Sequence, residues 1–227
     1  MRKEISIILT AVLAIGLLGM LMNTAPVSAQ TPTVTIHWDF EDHTHTHPHL
    51  SKLTDAQIIA ELYAVNASFV DHGLPIPRHL AYPYGDYGKS AASKARIKAV
   101  ISQYRDSGRV VWGKMETYPI LDWYVHKAAQ LKRATGWSKI QAWVDDAIAT
   151  KALLHIFTHD VAARPSSYGC TPEKLAMLLD YLVTQQNAGN LAVMTMAEAY
   201  ASFAGSKAIV VVSFDDANES DYTAAYP

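Results

Sequence analysis

The run Ala208–Phe214 constrains the fold more than any other segment of this chain. It contains a single polar side chain, Ser213, and shows no alternation of apolar and polar residues. A strand of this kind is typical of a sheet that is covered on both faces. Leu153–Thr158 is a second, mostly apolar run of similar length. The two runs together predict a sheet enclosed by helices.

Helical patterns alternate with the candidate strands along the chain. In residues 54–72, Thr54 and Gln57 form a capping box, and Gly73 follows as a stop signal. Ser138 and Gln141 suggest a second capping box. Predicted strands cover residues 33–40, 79–82, 109–112, 153–158, 191–195 and 208–214, and predicted helices cover residues 54–72, 90–104, 121–133, 138–150, 171–189 and 196–203. Such alternation indicates a parallel α/β architecture.

The first 29 residues resemble an export signal. Arg2 and Lys3 precede an apolar run over residues 5–22, and small residues at 27–29 form a plausible cleavage site. An uncleaved N-terminal anchor is the alternative, because the run is just long enough to span a membrane. We therefore predict a signal peptide or anchor at residues 1–29 and a single domain at residues 30–227 that is secreted or held at the cell surface. Membrane contact is expected only through the anchor.

Composition limits the possible partners. The 227 residues carry a formal net charge of -2, and the basic residues are scattered, which argues against nucleic acid as a partner. Cys170 is the single cysteine, so no internal disulfide can form. We interpret it as a small packed residue.

The densest group of possible metal ligands lies near the start of the predicted domain. Four histidines fall within the seven residues 43–49. His43 and His47 are four positions apart, so a helical turn or a tight loop can point both imidazoles at one ion. The alternative is a solvated cluster with incidental metal affinity.

Further polar residues follow predicted strands. Asp215 and Asp216 end the run Ala208–Phe214, where buried acids are costly unless they are paired or bound to metal. Capping of a following helix is the alternative for this pair. His159 follows Leu153–Thr158, and Tyr84 follows the predicted strand at residues 79–82. Two imidazoles and one carboxylate would form a three-ligand site with an open position.

Four segments together resemble the polysaccharide deacetylases, also known as carbohydrate esterase family 4 or the NodB-homology group. Residues 43–50 (HTHTHPHL) are similar to the family's H-[ST]-x-x-H motif, and residues 81–85 (AYPYG) to its substrate-groove motif. Residues 157–160 (FTHD) are similar to the catalytic histidine motif, and residues 213–217 (SFDDA) to the opening T-F-D-D-G motif. The resemblance implies a distorted or incomplete (β/α) barrel.

The resemblance also implies roles for individual residues. Asp216, His43 and His47 would hold a divalent metal, with Zn²⁺ as the expected ion. Asp215 would act as the general base and His159 as the general acid. The implied substrate contacts are Tyr82, Tyr84, Asp122 and Trp123. The implied activity is metal-dependent removal of N-acetyl groups from a surface or extracellular polysaccharide, with a polysaccharide or oligosaccharide as the substrate.

The chain departs from the family pattern in three places. Ala81 stands where many members have an arginine that tunes the base, and Ala217 replaces a glycine. The aspartate motif closes the chain instead of opening the domain, and one β/α unit has no evident counterpart.

Two explanations of the displaced motif remain open at this point. The chain is either a circular permutant, in which the last strand inserts beside the first, or a shortened, rearranged product. The alternatives to the enzyme are a non-catalytic carbohydrate- or metal-binding remnant and a non-heme iron oxygenase, since two histidines and one carboxylate also suit Fe(II).

Overall fold

The computed structural model describes residues 7–14, 35–203 and 205–216, which form a mixed α/β structure around one sheet. The strands are β1 (Ile7–Ala14), β2 (Thr35–Asp42), β3 (His79–Ala81), β4 (Ser107–Arg109), β5 (Ala129–Gln130), β6 (Leu153–Thr158), β7 (Leu191–Val193) and β8 (Ala208–Phe214). Their order in the sheet is β4-β3-β2-β1-β8-β6-β5, and β7 also pairs with β8.

Most neighbouring strands are parallel, as the sequence predicts. β2, β3 and β4 form one parallel group, and β5, β6, β7 and β8 form another. β1 lies between the two groups and is antiparallel to both β2 and β8. In the circular-permutant explanation the last strand would insert directly beside the first strand of the domain. Instead, β1 pairs with both β2 and β8 and lies between them.

The helices are α1 (Asp55–Asp71), α2 (Ala91–Ile101), α3 (Trp137–Thr150), α4 (Pro172–Asn187) and α5 (Met196–Ser202). The predicted capping box of Thr54 and Gln57 begins α1. Thr171 caps α4, with Pro172 at its first position. The capping box of Ser138 and Gln141 is wrong: α3 begins one residue before Ser138, and the carbonyl of Gly136 accepts its first hydrogen bonds.

The helix predicted over residues 121–133 is also wrong. This segment contains a short 3₁₀ helix, Trp123–Val125, followed by β5. The backbone of His126 accepts a hydrogen bond from Val110 N at 3.0 Å and donates one to Gly108 O at 3.1 Å. Because these backbone groups pair with the β4 region, they are not available for helical hydrogen bonds. The same bonds link β4 to the chain that leads into β5.

Two large apolar clusters cover the sheet. One joins α3 and α4 to β6, β7 and β8, and it includes Cys170, which is fully buried as predicted. The other joins α1 and α2 to β3. A third, smaller cluster packs α5 against the opposite face of β6 and β8. Both faces of these strands are therefore buried, which explains why they lack alternation.

The predicted signal at residues 1–29 lies largely outside the described residues, and the part that is described forms β1. Within the part of the chain that the structure describes, no helix has the length and apolarity needed to span a membrane.

Candidate active site

The predicted site residues meet at one edge of the sheet. His43 directly follows β2, Tyr84 lies in the 3₁₀ helix Pro83–Gly85 after β3, and His159 directly follows β6. The carboxyl ends of parallel strands share an edge, so these side chains converge. The cavity at this edge has a volume of about 400 Å³ and is lined by His43, His47, Tyr84, Val111, Gln130, His159, Tyr168, Asp215 and Asp216.

His43 is held in a defined orientation. Its ring is buried, and Nδ1 donates a hydrogen bond to the carbonyl oxygen of Ala81 at 2.8 Å. This bond leaves Nε2 facing the cavity, where it lies 3.1 Å from Nε2 of His47 and 3.8 Å from Oδ1 of Asp216. A backbone acceptor of this kind fixes the tautomer and ring position of a metal-binding histidine.

The three groups fit a metal ion. Ligand atoms of His43, His47 and Asp216 all lie within 4.8 Å of one another. Two nitrogens bound to one tetrahedral Zn²⁺ at about 2.0–2.1 Å are separated by about 3.3 Å, close to the separation seen here between the two imidazoles. The set also satisfies the usual composition of a catalytic site, which has three protein ligands and an open position.

The two imidazoles are in the protonation state that binds metal. Burial lowers the pKa of His43 to about 4 and also lowers the pKa of His47. Both rings are therefore neutral near pH 7, and a neutral imidazole is the ligand form. Asp215 and Asp216 act in the opposite direction on His47, but burial has the larger effect.

Backbone strain is concentrated at the same edge. Thr44, His47, Tyr84 and Asp216 all have positive φ, between 54° and 66°, although none is glycine. Among the described non-glycine residues, Lys151 is the remaining case, and it caps the end of α3. Left-handed conformations cost energy in such residues and cluster at functional sites.

Arg109 is a functional residue that the sequence reasoning missed. The carboxylate of Asp215 is buried and forms an ion pair with the equally buried Arg109 at the end of β4, whose guanidinium also lies 3.9 Å from Glu41. The ring of Phe157 lies 4.5 Å from that guanidinium. Ala81 has no charged side chain to offer, so the cation beside the predicted base comes from the neighbouring strand. The sequence did offer one signal for this role, because Arg109 is a single charged residue at the start of the apolar run at residues 109–112.

His159 reaches the cavity from the end of β6. Its Nδ1 lies 3.4 Å from the Gln130 amide, and its Nε2 lies 4.0 Å from Oδ2 of Asp216. Asp160 instead accepts hydrogen bonds from the backbone and hydroxyl of Ser166 and so holds the following loop.

The four predicted substrate residues have different surroundings. Tyr84 is half exposed and lines the cavity. Tyr82 is fully buried in the cluster with α1 and α2, and burial raises the pKa of its hydroxyl. Asp122 forms an ion pair with Lys98, and Trp123 packs edge-on against Tyr200. The structure does not bring Tyr82, Asp122 or Trp123 to the cavity lining, and substrate contact remains a prediction for all four.

Comparison with known families supports the predicted resemblance. A family model described as polysaccharide deacetylase matches residues 32–100. The matched segment, which is less than a third of the chain, is similar to this family. It includes the histidine and groove motifs, whereas Asp215, Asp216 and His159 lie outside it. No curated protein and no solved structure matches the chain significantly.

Proposed function

We propose that this protein is a metal-dependent hydrolase that removes N-acetyl groups from a surface or extracellular polysaccharide. The observation that carries the proposal is the placement of Asp216, from the end of the chain, against His43 and His47 of the deacetylase segment. These three residues would hold the ion, with Zn²⁺ as the expected metal. When bound, such an ion supplies Lewis-acid chemistry: it polarises the amide carbonyl and makes the attacking water more acidic.

Asp215 is placed to act as the general base. It lines the cavity beside Asp216 although it is almost fully buried. Its Oδ1 is paired with Arg109, which leaves Oδ2 to take a proton from water. The ion pair with Arg109 holds this carboxylate in a fixed position beside the cavity.

His159 is placed to act as the general acid. Its ring is a quarter exposed and lines the cavity with Tyr84 and Tyr168. The Gln130 amide suits both protonation states of the ring, because a glutamine can present either its NH₂ group or its carbonyl oxygen to Nδ1. Protonation of the departing amine by His159 would contribute roughly 10²- to 10⁴-fold to the rate.

The substrate class follows from the family match and the shape of the site. Tyr84 presents an exposed aromatic face to the cavity, a surface suited to stacking on a sugar ring. Backbone N–H groups near Tyr84 would help to stabilise the oxyanion of the tetrahedral species. We also propose export directed by the N-terminal segment, with residues 7–14 retained as β1, in keeping with an extracellular polymer as substrate.

The architecture proposed here is a shortened, distorted (β/α) barrel with its aspartate motif supplied from the C-terminal end. Parallel pairing of β8 with β6 over Leu153–Thr158 supports this view, because it sets Asp215 and Asp216 at the same edge as His159. β1 lies between β2 and β8, where the family resemblance would place the β/α unit that has no evident counterpart in this chain. The presence of β1 in place of such a unit favours a second candidate function, a non-catalytic metal- or carbohydrate-binding remnant.

One substitution separates the enzyme from the remnant. Purified, zinc-loaded protein is incubated with N-acetylglucosamine oligomers, and free amine is assayed. We expect Asp215→Asn to lower the rate by roughly 10²- to 10⁴-fold while zinc affinity is retained. Asp146→Asn, at an exposed position of α3, is the matched control and should leave the rate unchanged. Absence of amine from folded, zinc-loaded wild-type protein would rule out the enzyme.

A further inference from the structure

A second cavity lies beside the proposed active site. It has a volume of about 380 Å³, within the range of roughly 300–1,000 Å³ usual for ligand sites. Tyr84 lines both cavities, so they adjoin at this residue. His49 stacks on the Tyr84 ring, with 4.1 Å between the ring centroids and 19° between the planes. The two cavities therefore adjoin at the stacked pair of His49 and Tyr84.

Trp112 forms an aromatic platform in the wall of this second cavity. Its ring is half exposed and lies directly on the backbone of Gly85. A Cβ placed on Gly85 would lie 2.3 Å from a ring atom, so no larger residue fits beneath the indole. A large, supported and exposed aromatic face is the kind of surface on which sugar rings stack.

The charges around the second cavity are predominantly positive. Asp86 is already satisfied, because it accepts hydrogen bonds from the Ser51 hydroxyl at 2.6 Å, from Gly88 N at 3.1 Å and from the His49 ring at 3.2 Å. Although burial alone would raise the pKa of Asp86, these donors lower it, so the carboxylate stays ionised. Lys52 and Lys89 line the same cavity, and in the described part of the chain neither ammonium is ion-paired. One ionised acid and two ammonium groups leave an excess of positive charge.

We infer that the second cavity binds a carboxylate-bearing sugar unit next to the N-acetylated unit that is hydrolysed. Trp112 stacks on the ring of that unit, and Lys52 and Lys89 attract its carboxylate. This inference rests on the proposed function, since it places the reacting unit in the adjoining cavity. The substrate is thus an acidic heteropolymer in which amino sugars neighbour sugar acids, rather than a neutral homopolymer.

The experiment compares the binding of two tetrasaccharides by calorimetry at low salt. One is the neutral N-acetylglucosamine tetramer, and the other alternates N-acetylglucosamine with N-acetylmuramic acid, which carries a carboxylate. We expect the acidic tetramer to bind roughly three- to tenfold more tightly than the neutral one. The double variant Lys52→Gln/Lys89→Gln should lose this preference. Lys151→Gln/Lys207→Gln, at the start of β6 and β8 at the opposite edge of the sheet, should keep it.

The platform is tested with the same two ligands. Trp112→Ala should weaken the binding of both tetramers by roughly three- to tenfold. Tyr118→Ala removes an equally exposed aromatic ring that contacts Gly205 near the start of β8, and it should change neither affinity. Equal affinity of wild-type protein for the two tetramers, or a preference unaffected by the loss of both lysines, would overturn the inference.

These experiments test the acidic subsite and the proposed catalytic function separately. Calorimetry does not require turnover, so a lysine-dependent preference can be detected even if no amine is released. Conversely, release of amine from both tetramers at equal affinity would support the proposed function while it overturns the acidic subsite.

Discussion

Two groups of fully or partly buried histidines have different surroundings in this protein. His43 and His47 face a cavity, with the carboxylate of Asp216 at 3.8 Å from His43. His79, His126 and His155 lie in the interior, where among the described residues their hydrogen-bond partners are hydroxyls and backbone groups. Burial lowers the pKa in both groups. The difference shows that a buried, neutral histidine becomes a candidate ligand only where a carboxylate and an open cavity meet it.

The interior histidines lie close to Asp215, the proposed base, on the core side of the cavity. His155 Nε2 is 2.8 Å from the hydroxyl of Ser213, which is two residues before Asp215 on β8 and points to the same side of the sheet. His126 stacks on His155 with 5.6 Å between ring centroids. Arg109 lies close enough to lower the pKa of both rings further. Arg109 is therefore the residue that connects the two regions.

The largest effect on stability is expected from a substitution of Arg109. Arg109→Gln leaves Asp215 and Glu41 as buried acids without their cation, which should lower the free energy of unfolding by about 3–5 kcal/mol. Urea denaturation at pH 7 measures the change. Arg78→Gln breaks an exposed ion pair with Asp106 and should cost less than about 1 kcal/mol. A loss below about 1 kcal/mol at Arg109 would mean that the buried pair is not formed.

The two histidine groups should separate most clearly in metal affinity. His43→Ala should weaken zinc binding by at least about 100-fold, because it removes the best-oriented ligand. His155→Asn should leave zinc affinity within about twofold while it lowers stability, since it disturbs a buried hydrogen bond. Competition with a fluorescent zinc indicator measures both. Equal losses in the two variants would contradict the division between the groups.

Stability should fall in mildly acidic solution because of the interior group. Burial lowers the pKa of His79 in the folded protein to about 4 from an ordinary value of 6.5. The unfolded chain therefore binds more protons below pH 6.5, and the stability present above that pH is lost as the pH falls toward about 4. For His79 alone, the loss between pH 7 and pH 5 is about 2 kcal/mol. Urea denaturation in metal-free buffer at both pH values measures it, and His79→Asn should reduce the loss.

The smallest effect is expected at Asp122, which lies outside both groups. Asp122→Ala removes an ion pair with Lys98 and a hydrogen bond from Tyr124 N at 3.0 Å, for a loss of about 1 kcal/mol in stability. Because Asp122 does not line the cavity, the rate of amine release should stay within about twofold of wild type. A tenfold or greater fall in rate would instead support the predicted contact with substrate.

Much of the candidate site could be predicted because its residues stand in short motifs at strand ends. His43 and His47 lie in one loop after β2, and Asp215 and Asp216 directly follow the apolar strand β8. Their positions at strand ends, together with the motif resemblance, predicted that they lie at one edge. The pairing of Arg109 with Asp215 joins residues 106 positions apart, and no local pattern encodes such a contact. His79, His126 and His155 were missed for the same reason. They lie in β3, in the segment before β5 and in β6, respectively.

The fold was predictable where local signals agreed with tertiary contacts. Thr54 and Thr171 begin helices because their side chains satisfy backbone donors of the first turn. Residues 121–133 were misassigned because their backbone partners lie in the β4 region, which is distant in sequence. The apolar segment that forms β1 has a composition that suits an export signal equally well, so composition alone could not predict its pairing with β2 and β8.

Anomalous diffraction at the zinc edge from crystals of zinc-loaded protein tests the central claim most directly. The account predicts one ion bound by Nε2 of His43, Nε2 of His47 and a carboxylate oxygen of Asp216, at about 2.0–2.2 Å from each ligand atom. An ion bound by other histidines of residues 43–49, with Asp216 outside coordination distance, would contradict it.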